Sequence, residues 1–439
     1  MAAEKHRNGS FSSTFGFVLA CVGSAVGLGN IWLFPYRLGQ YGGGAFLIPY
    51  LLFVFLFGWV GLSAEFGIGR LCKTGTLGAY AHCFEKRGRK KLGGALGWIP
   101  LAGSLGIAIG YAIIVGWVVR SSFGAITGSL LNEPDYFSQA TGSFGSLPWH
   151  VIVVAAVCLI LLTGATKNIE KASKVMMPLF FVLFLVVAVR VGFLPGAAEG
   201  YKFLFQPDWS KLLDPFTWVM AMGQAFFSLS ITGSGMIVYG AYLGKDADIP
   251  KAALQTAFFD TCAALLSALA IMPAVFSFGI DPTSGPSLLF ITLPGIFRQM
   301  PMGQVFAVVF FVSVIFAGLT SLINMFEAVS ESWQTKFKIS RTAAVLVCGA
   351  IVLAVGVFLE AEPLVGGWMD FITIVVVPIG AMLGAVAVYY VLGFDDIRRE
   401  LELGRKKPLS PLFAPCAKFI YVPLTVVILV LGFVHHGIG

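Results

Sequence analysis

The sequence predicts an all-α polytopic membrane protein: two inverted five-helix repeats with discontinuous helices 1 and 6, plus an eleventh helix. Three observations predict it. The 439 residues are 57% hydrophobic and only 12% charged, with a mean hydropathy of +0.87, and a soluble chain would carry about twice that share of charge. Eleven apolar segments follow one another, most of them longer than the ~20 residues that cross a bilayer core as helix. Two of them, the first and the sixth, are interrupted at mid-depth by Gly mixed with polar side chains. Interruptions at matching places in two halves point to a transporter site built on broken helices.

In chain order the spans cover about 12–37, 44–70, 95–125, 149–165, 174–194, 214–242, 251–278, 302–334, 341–359, 366–393 and 411–436. The domains expected are a cytoplasmic tail (1–11), a first repeat (12–194), an outer loop (195–213), a second repeat (214–393), a cytoplasmic loop (394–410), and the eleventh helix with an outer end (411–439). A membrane β-barrel is excluded, because its strands are short and alternate polar with apolar residues. Span one holds Asn30 and Pro35 and has no small-residue cleavage site, so it is not read as a signal peptide.

Orientation follows from Lys and Arg. With the N-terminus inside, 23 of the 29 fall on inner segments, among them Lys5, Arg7 and seven between Arg70 and Lys91. That bias puts the N-terminus in the cytoplasm and, after eleven spans, the C-terminus outside. The basic tract Lys86-Arg87-Gly88-Arg89-Lys90-Lys91 is then a topology determinant rather than a nucleic-acid patch, and no nucleic-acid partner is expected. The seven Cys lie in spans or inner loops, so no disulfide is expected. The Asn8 sequon also falls on the inner side.

The interruptions are Gly23-Ser24-Ala25-Val26-Gly27-Leu28-Gly29-Asn30 and Ser228-Leu229-Ser230-Ile231-Thr232-Gly233-Ser234-Gly235. Open backbone at membrane depth is tolerated only where it lines a protein cavity, and its helix ends offer amides to an anion and carbonyls to a cation. Close packing of small residues accounts for a Gly-rich span but not for the polar side chains beside these Gly. Four acids lie in or near the membrane. Glu65 reads as a cap for open backbone. Asp260 has no Lys or Arg within a helical turn, which suggests a bound cation or a proton. Glu327 and Asp370, nearer span ends, read as solvated gate residues.

The stretch from Gly23 through Asn30-Ile31-Trp32-Leu33-Phe34-Pro35-Tyr36, followed by Gly42-Gly43-Gly44-Ala45-Phe46, strongly resembles the signature of the neurotransmitter:sodium symporter family. Gly223-Gln224-Ala225-Phe226-Phe227-Ser228-Leu229-Ser230 and Ala317-Gly318-Leu319-Thr320-Ser321 match two more of its motifs. The similarity spans helices one to ten, and the eleven-span form looks like bacterial members, which implies a multi-pass protein of a bacterial inner membrane.

The resemblance implies two sodium sites. The first would use the Ala25 carbonyl, Asn30, Ser228, Asp260 and the substrate carboxylate. The second would use the carbonyls of Gly23, Val26 and Ala317 with the hydroxyls of Thr320 and Ser321. It also implies an amino-acid substrate. Amine-transporting relatives place an Asp where Gly27 stands, so here a carboxylate would reach the sodium and the Leu28 and Gly29 amides, with Tyr111 as hydrogen-bond partner. Ile107, Phe227, Ser230, Gly233 and Met325 would line the side-chain pocket, enlarged because Gly233 replaces a Phe of some relatives. A bulky apolar or aromatic L-amino acid is the expected substrate.

Several positions depart from the family pattern. The outer-gate Arg is Leu33, while its acidic partner is present as Asp370 and Arg37 lies about a turn along as a substitute. At the inner gate Phe11, Thr14 and Thr335 replace a Trp, an Arg and an acid, and Asn168 replaces the Gly that helps unwind span five. Chloride is not expected, because Asp260 already supplies negative charge and Ala264 replaces a Ser of animal members. The expectation is sodium-coupled import by alternating access, with no enzymatic chemistry and no cofactor. Proton coupling through Asp260, a non-amino-acid solute and a non-transporting sensor remain the alternatives.

Overall fold

The computed structural model of the chain describes residues 10–133, 135–279 and 288–438. Lys5, Arg7 and Asn8, used above for orientation, lie outside the described residues. Every regular element among the described residues is helical.

Among the described residues, eight continuous helices are long and apolar enough to cross a membrane: Gly44–Cys72, Lys90–Thr127, Thr166–Gly192, Ile249–Ser277, Gly303–Phe337, Arg341–Leu359, Glu362–Glu402 and Phe413–Val434. They stand at spans two, three, five, seven, eight, nine, ten and eleven. Span one is broken, its halves Thr14–Ala25 and Gly29–Gln40 meeting at 61°. Span four is the shorter helix Leu147–Leu162. Span six is also broken, into Pro215–Ser228 and Gly235–Ala241. Span ten runs well past its apolar stretch into the charged turn Asp395–Glu402, as helices longer than the hydrocarbon layer do.

Helix starts follow local chemistry. Ser13, Asp214, Asp248 and Ser340 each accept a hydrogen bond from an amide two or three residues on, capping spans one, six, seven and nine. Pro215 and Pro250 sit in the first turn of their helices, where no amide donor is needed. Span five is continuous from Ala165 to Gly192. The Asn168 side chain donates to the Ile160 carbonyl and reaches the Thr163 hydroxyl, so it ties down the start of the helix in this conformation instead of unwinding it.

Burial sorts the helices. Over their most apolar stretches span three is 83% buried, whereas spans five, nine and eleven are 33% buried. Span three packs along span eight through the middle of the bundle, and the two broken helices run beside that pair. The broken segments therefore lie at the centre, where neighbouring spans can satisfy their backbone.

Candidate functional site

The two breaks differ in how the backbone leaves the helix. In span one the chain turns extended at Val26 (φ −68°, ψ 110°) and resumes as helix at Gly29. In span six Ser230 (φ +52°) and Gly233 (φ +74°) take left-handed conformations before helix resumes at Gly235. The breaks are tied to each other, because the Ser230 hydroxyl donates to the Ser24 carbonyl at 3.2 Å. They are also tied to span two, where Glu65 accepts the Gly233 amide at 2.8 Å. Glu65 thus caps open backbone at a helix break.

Asn30, Ser228 and Asp260 converge. The Asn30 side-chain NH2 donates to the Asp260 carboxylate at 2.8 Å and to the Ser228 hydroxyl at 3.0 Å, and Ser228 donates to the other Asp260 oxygen at 2.6 Å. The Asn30 carbonyl oxygen accepts the Gly27 amide at 3.1 Å, which closes the span-one break on itself. Asp260 is fully buried, and among the described residues no Lys, Arg or His forms a salt bridge with it. A buried carboxylate without a cationic side chain is costly unless a cation or proton joins it.

A second oxygen set lies between span one and span eight. The Ser321 hydroxyl is 3.0 Å from the Val26 carbonyl and 3.3 Å from that of Gly23. The Thr320 hydroxyl is 3.1 Å from the Ala317 carbonyl. A Cβ on Gly23 would sit 3.0 Å from the Thr320 Cβ, so Gly lets the two spans approach. Among the described residues no three His, Cys, Asp or Glu side chains cluster as a metal site. Carbonyl, hydroxyl and carboxylate oxygens instead form a hard donor set, suited to an alkali cation.

Between the breaks lies a cavity. Of the sequence-predicted substrate residues, Ala25, Gly27, Gly29, Ile107, Tyr111, Phe227, Ser228, Ser230, Ser321 and Met325 line it. Leu28 contributes its amide, which donates to the Tyr111 hydroxyl oxygen at 2.9 Å and leaves that hydroxyl's proton free for an acceptor. A Cβ on Gly27 would fall 2.5 Å from that hydroxyl and 2.9 Å from Ser321 Oγ, so a side chain here requires Tyr111 or Ser321 to move.

Gly233 corrects an expectation. It does not line the cavity. Its backbone lies against span ten, where a Cβ would meet the Gly380 carbonyl at 2.4 Å and the Tyr80 hydroxyl at 2.7 Å. The missing side chain is a packing requirement, not an enlargement of the pocket. Residues that sequence reasoning missed line the cavity too: Ser104, Asn324, the span-ten group Thr373, Ile374, Val377 and Pro378, and Ile428, Gly432 and Ile438 of span eleven and the turn after it. Asn324, whose side chain donates to the Gly235 carbonyl, carried a signal as a polar residue one turn beyond Thr320. The aliphatic residues carried none.

The gates also differ from expectation. Leu33 and Arg37 are half-buried and Asp370 is exposed. Arg37 stacks 5.6 Å from the Tyr36 ring and forms no salt bridge with Asp370, so it does not replace the missing outer pair in this conformation. At the other end Phe11 is buried among Phe17, Tyr239 and Tyr242, and its amide donates to the Tyr242 carbonyl. Thr14 is exposed, and Thr335 donates to Glu331. Glu327 is no solvated gate residue: it is fully buried, paired with Arg341 at 2.6 Å and accepting the Tyr242 hydroxyl.

Known proteins are similar to this chain in sequence and in fold. The chain matches the family described as Sodium:neurotransmitter symporter family over residues 8–134 and 131–437. It is 33% identical to YhdH, an uncharacterized sodium-dependent transporter of Bacillus subtilis, over 97% of both chains. It is 30% identical to MJ1319, an uncharacterized sodium-dependent transporter of Methanocaldococcus jannaschii, over 90% of this chain and 84% of that one. Among solved structures it superposes on MhsT in complex with L-phenylalanine with a TM-score of 0.86, at 33% identity, covering 97% of this chain and 99% of MhsT.

Proposed function

Because the chain belongs to the sodium:neurotransmitter symporter family, and so is a sodium-dependent membrane transporter and not an enzyme, we propose that it imports a bulky apolar or aromatic L-amino acid. Gly27 carries this reading. Where it stands there is no side-chain charge to hold a ligand ammonium, and its missing Cβ admits the Tyr111 hydroxyl, which accepts the Leu28 amide. A substrate carboxylate fits that polar end. Ile107, Phe227 and Met325 offer an apolar wall at the other. MhsT, similar in fold and sequence, is described in complex with L-phenylalanine, which supports the same class here.

Two sodium ions travel with the substrate in this reading. The first takes Asn30, Ser228, Asp260, the Ala25 carbonyl and the substrate carboxylate. The second takes the Gly23, Val26 and Ala317 carbonyls with Thr320 and Ser321. Chloride is not required, since Asp260 brings its own negative charge. The charge bias of the loops sets the N-terminus on the cytoplasmic side of what we take to be a bacterial inner membrane; spans one and two of the first repeat (12–194) and spans six and seven of the second (214–393) rock against the remaining spans as a scaffold. Among the described residues no cationic side chain forms a salt bridge with Asp260, and this keeps a second reading, in which a proton rides on that carboxylate.

The test is equilibrium binding of a radiolabelled amino-acid panel to purified protein in sodium and in potassium. Saturable binding of L-phenylalanine or another large apolar amino acid in sodium alone is expected. Equal binding in both salts, lost when the pH is raised, would favour the proton. No binding of any amino acid by folded protein would sink the substrate class.

A further inference from the structure

We propose that the turn following span eleven, His435–Ile438, is a movable lid of the transport cavity, and that Ile438 is one of the cavity's walls. The lid's contribution to substrate binding rests on the amino-acid reading above; its movement does not.

Span eleven ends at Val434, and the chain then folds back toward the bundle. The Gly437 amide donates to the Gly432 carbonyl at 2.9 Å, and His436 takes a left-handed conformation (φ +53°). This six-to-one bond with a left-handed residue before it is the usual way a helix end reverses direction. Ile438 is thereby carried inward. It is 4% exposed, and it borders the same cavity as Tyr111 and Phe227.

The seat is built for close approach. A Cβ on Gly223 of span six would lie 1.8 Å from the Ile438 carbonyl oxygen, and one on Gly437 would lie 3.2 Å from Ile374 of span ten. The His435 ring meets Phe216, near the start of span six, edge-on at 4.8 Å. The turn thus bridges the first half of span six and span ten, about one helical turn from Phe227.

This is the side of the cavity on which the ionic gate is missing. Leu33 carries no charge, and Asp370 and Arg37 stand apart. Ile438 supplies an apolar closure between spans six and ten instead.

The experiment uses the full chain, purified, with its native cysteines replaced. Ile438→Cys is compared with Leu213→Cys, a position 83% exposed, for reaction with a polar maleimide in potassium, in sodium, and in sodium with L-phenylalanine. The lid predicts that Ile438→Cys reacts more slowly than Leu213→Cys, and that its rate changes at least about tenfold between salts, with the amino acid slowing it further. Reaction at the Leu213→Cys rate throughout would show a tail loose in solvent. A slow rate identical in all three conditions would show fixed packing. Either result overturns the lid. For the wall, Ile438→Ala is expected to speed dissociation of bound L-phenylalanine about tenfold, as removal of a buried aliphatic contact implies. Ile438→Val should stay within about twofold, and an unchanged rate in Ile438→Ala overturns the wall. If the unaltered protein binds no L-phenylalanine in sodium, the amino-acid reading fails alone, and the sodium–potassium comparison still decides the lid.

Discussion

Asp260 holds the densest chemistry in the molecule. It accepts from Asn30 and Ser228, and among the described residues it lies buried with no cationic side chain paired to it. Asp260→Ala takes the carboxylate acceptor from both donors, leaving Asn30 only the Ser228 hydroxyl and the backbone carbonyl at 260, and removes the charge that favours a cation. Sodium-dependent binding should fall by at least about tenfold, since hydrogen bonds to charged groups contribute ~1.5–3 kcal/mol. Sodium titration of amino-acid binding measures it, and near-normal sodium affinity in both Asp260→Ala and Asn30→Ala would refute the first site. Tyr111→Phe removes the hydroxyl that holds the Leu28 amide and the proposed donor to the substrate. Its amino-acid affinity should drop about tenfold or more, with the folded yield retained, and an unchanged Kd would take Tyr111 out of the site. Gly233 shows what residue-by-residue comparison misses. By position it reads as an enlarged pocket; in the structure its φ of +74° and its contact with Gly380 leave no room for a side chain. Gly233→Ala is therefore expected to destabilise the protein, by ~1–2 kcal/mol from backbone conformation alone, without changing the order of preference among amino acids. A thermal unfolding scan beside the binding panel separates the two outcomes.

At the scale of elements, the broken helices account for where the polar residues stand. Each break frees amides and carbonyls in the middle of the bundle, and each freed group needs a partner. Asn30 closes the span-one break by accepting the Gly27 amide. Glu65 closes the span-six break from a different helix, by accepting the Gly233 amide. Glu65→Leu keeps the bulk but orphans that amide, which costs about 1–3 kcal/mol and frees the loop that carries Ser230. Hydrogen exchange of the 229–235 segment should then speed up while the helix cores stay protected. Equal protection in the variant would mean that other partners hold the break. The breaks themselves were legible, because Gly set beside Asn and Ser at membrane depth loosens the helix and supplies polar groups that lipid cannot satisfy. The continuity of span five was not, since Asn168 permits either a left-handed residue or a side-chain cap, and only its reach to Ile160 decides.

For the whole molecule, the bundle is closed at one end by aromatic packing around Phe11 and at the other by the turn carrying Ile438. Coupling then depends on moving one end at a time. Two inward sodium ions would draw roughly 4.6 kcal/mol from each 100 mV of membrane potential, enough for about a 10³-fold substrate gradient before any sodium gradient is counted. Proteoliposomes given a potassium diffusion potential, negative inside, should accumulate substrate more strongly than those at zero potential. Accumulation indifferent to potential would mean an electroneutral cycle, in which two protons leave for the two sodium ions that enter.

The sequence by itself determined the membrane class, the all-helical architecture, the family and the two interruptions. Each of these depends on properties that are local in the chain: apolar length, charge in short loops, and Gly set among polar residues. It also pointed to the part of the cavity that the two broken helices supply, because the residues beside a break are neighbours in sequence. What only the tertiary structure decided are contacts between elements far apart in the chain. These are Glu327 buried against Arg341 rather than solvated, Arg37 standing apart from Asp370, Gly233 packed on Gly380, and Ile438 folded back into the cavity. An apolar residue such as Ile438 looks the same in a sequence whether it faces lipid, a neighbouring helix or a transported molecule. The difference is the partner that the fold brings to it, more than two hundred residues away at Gly223.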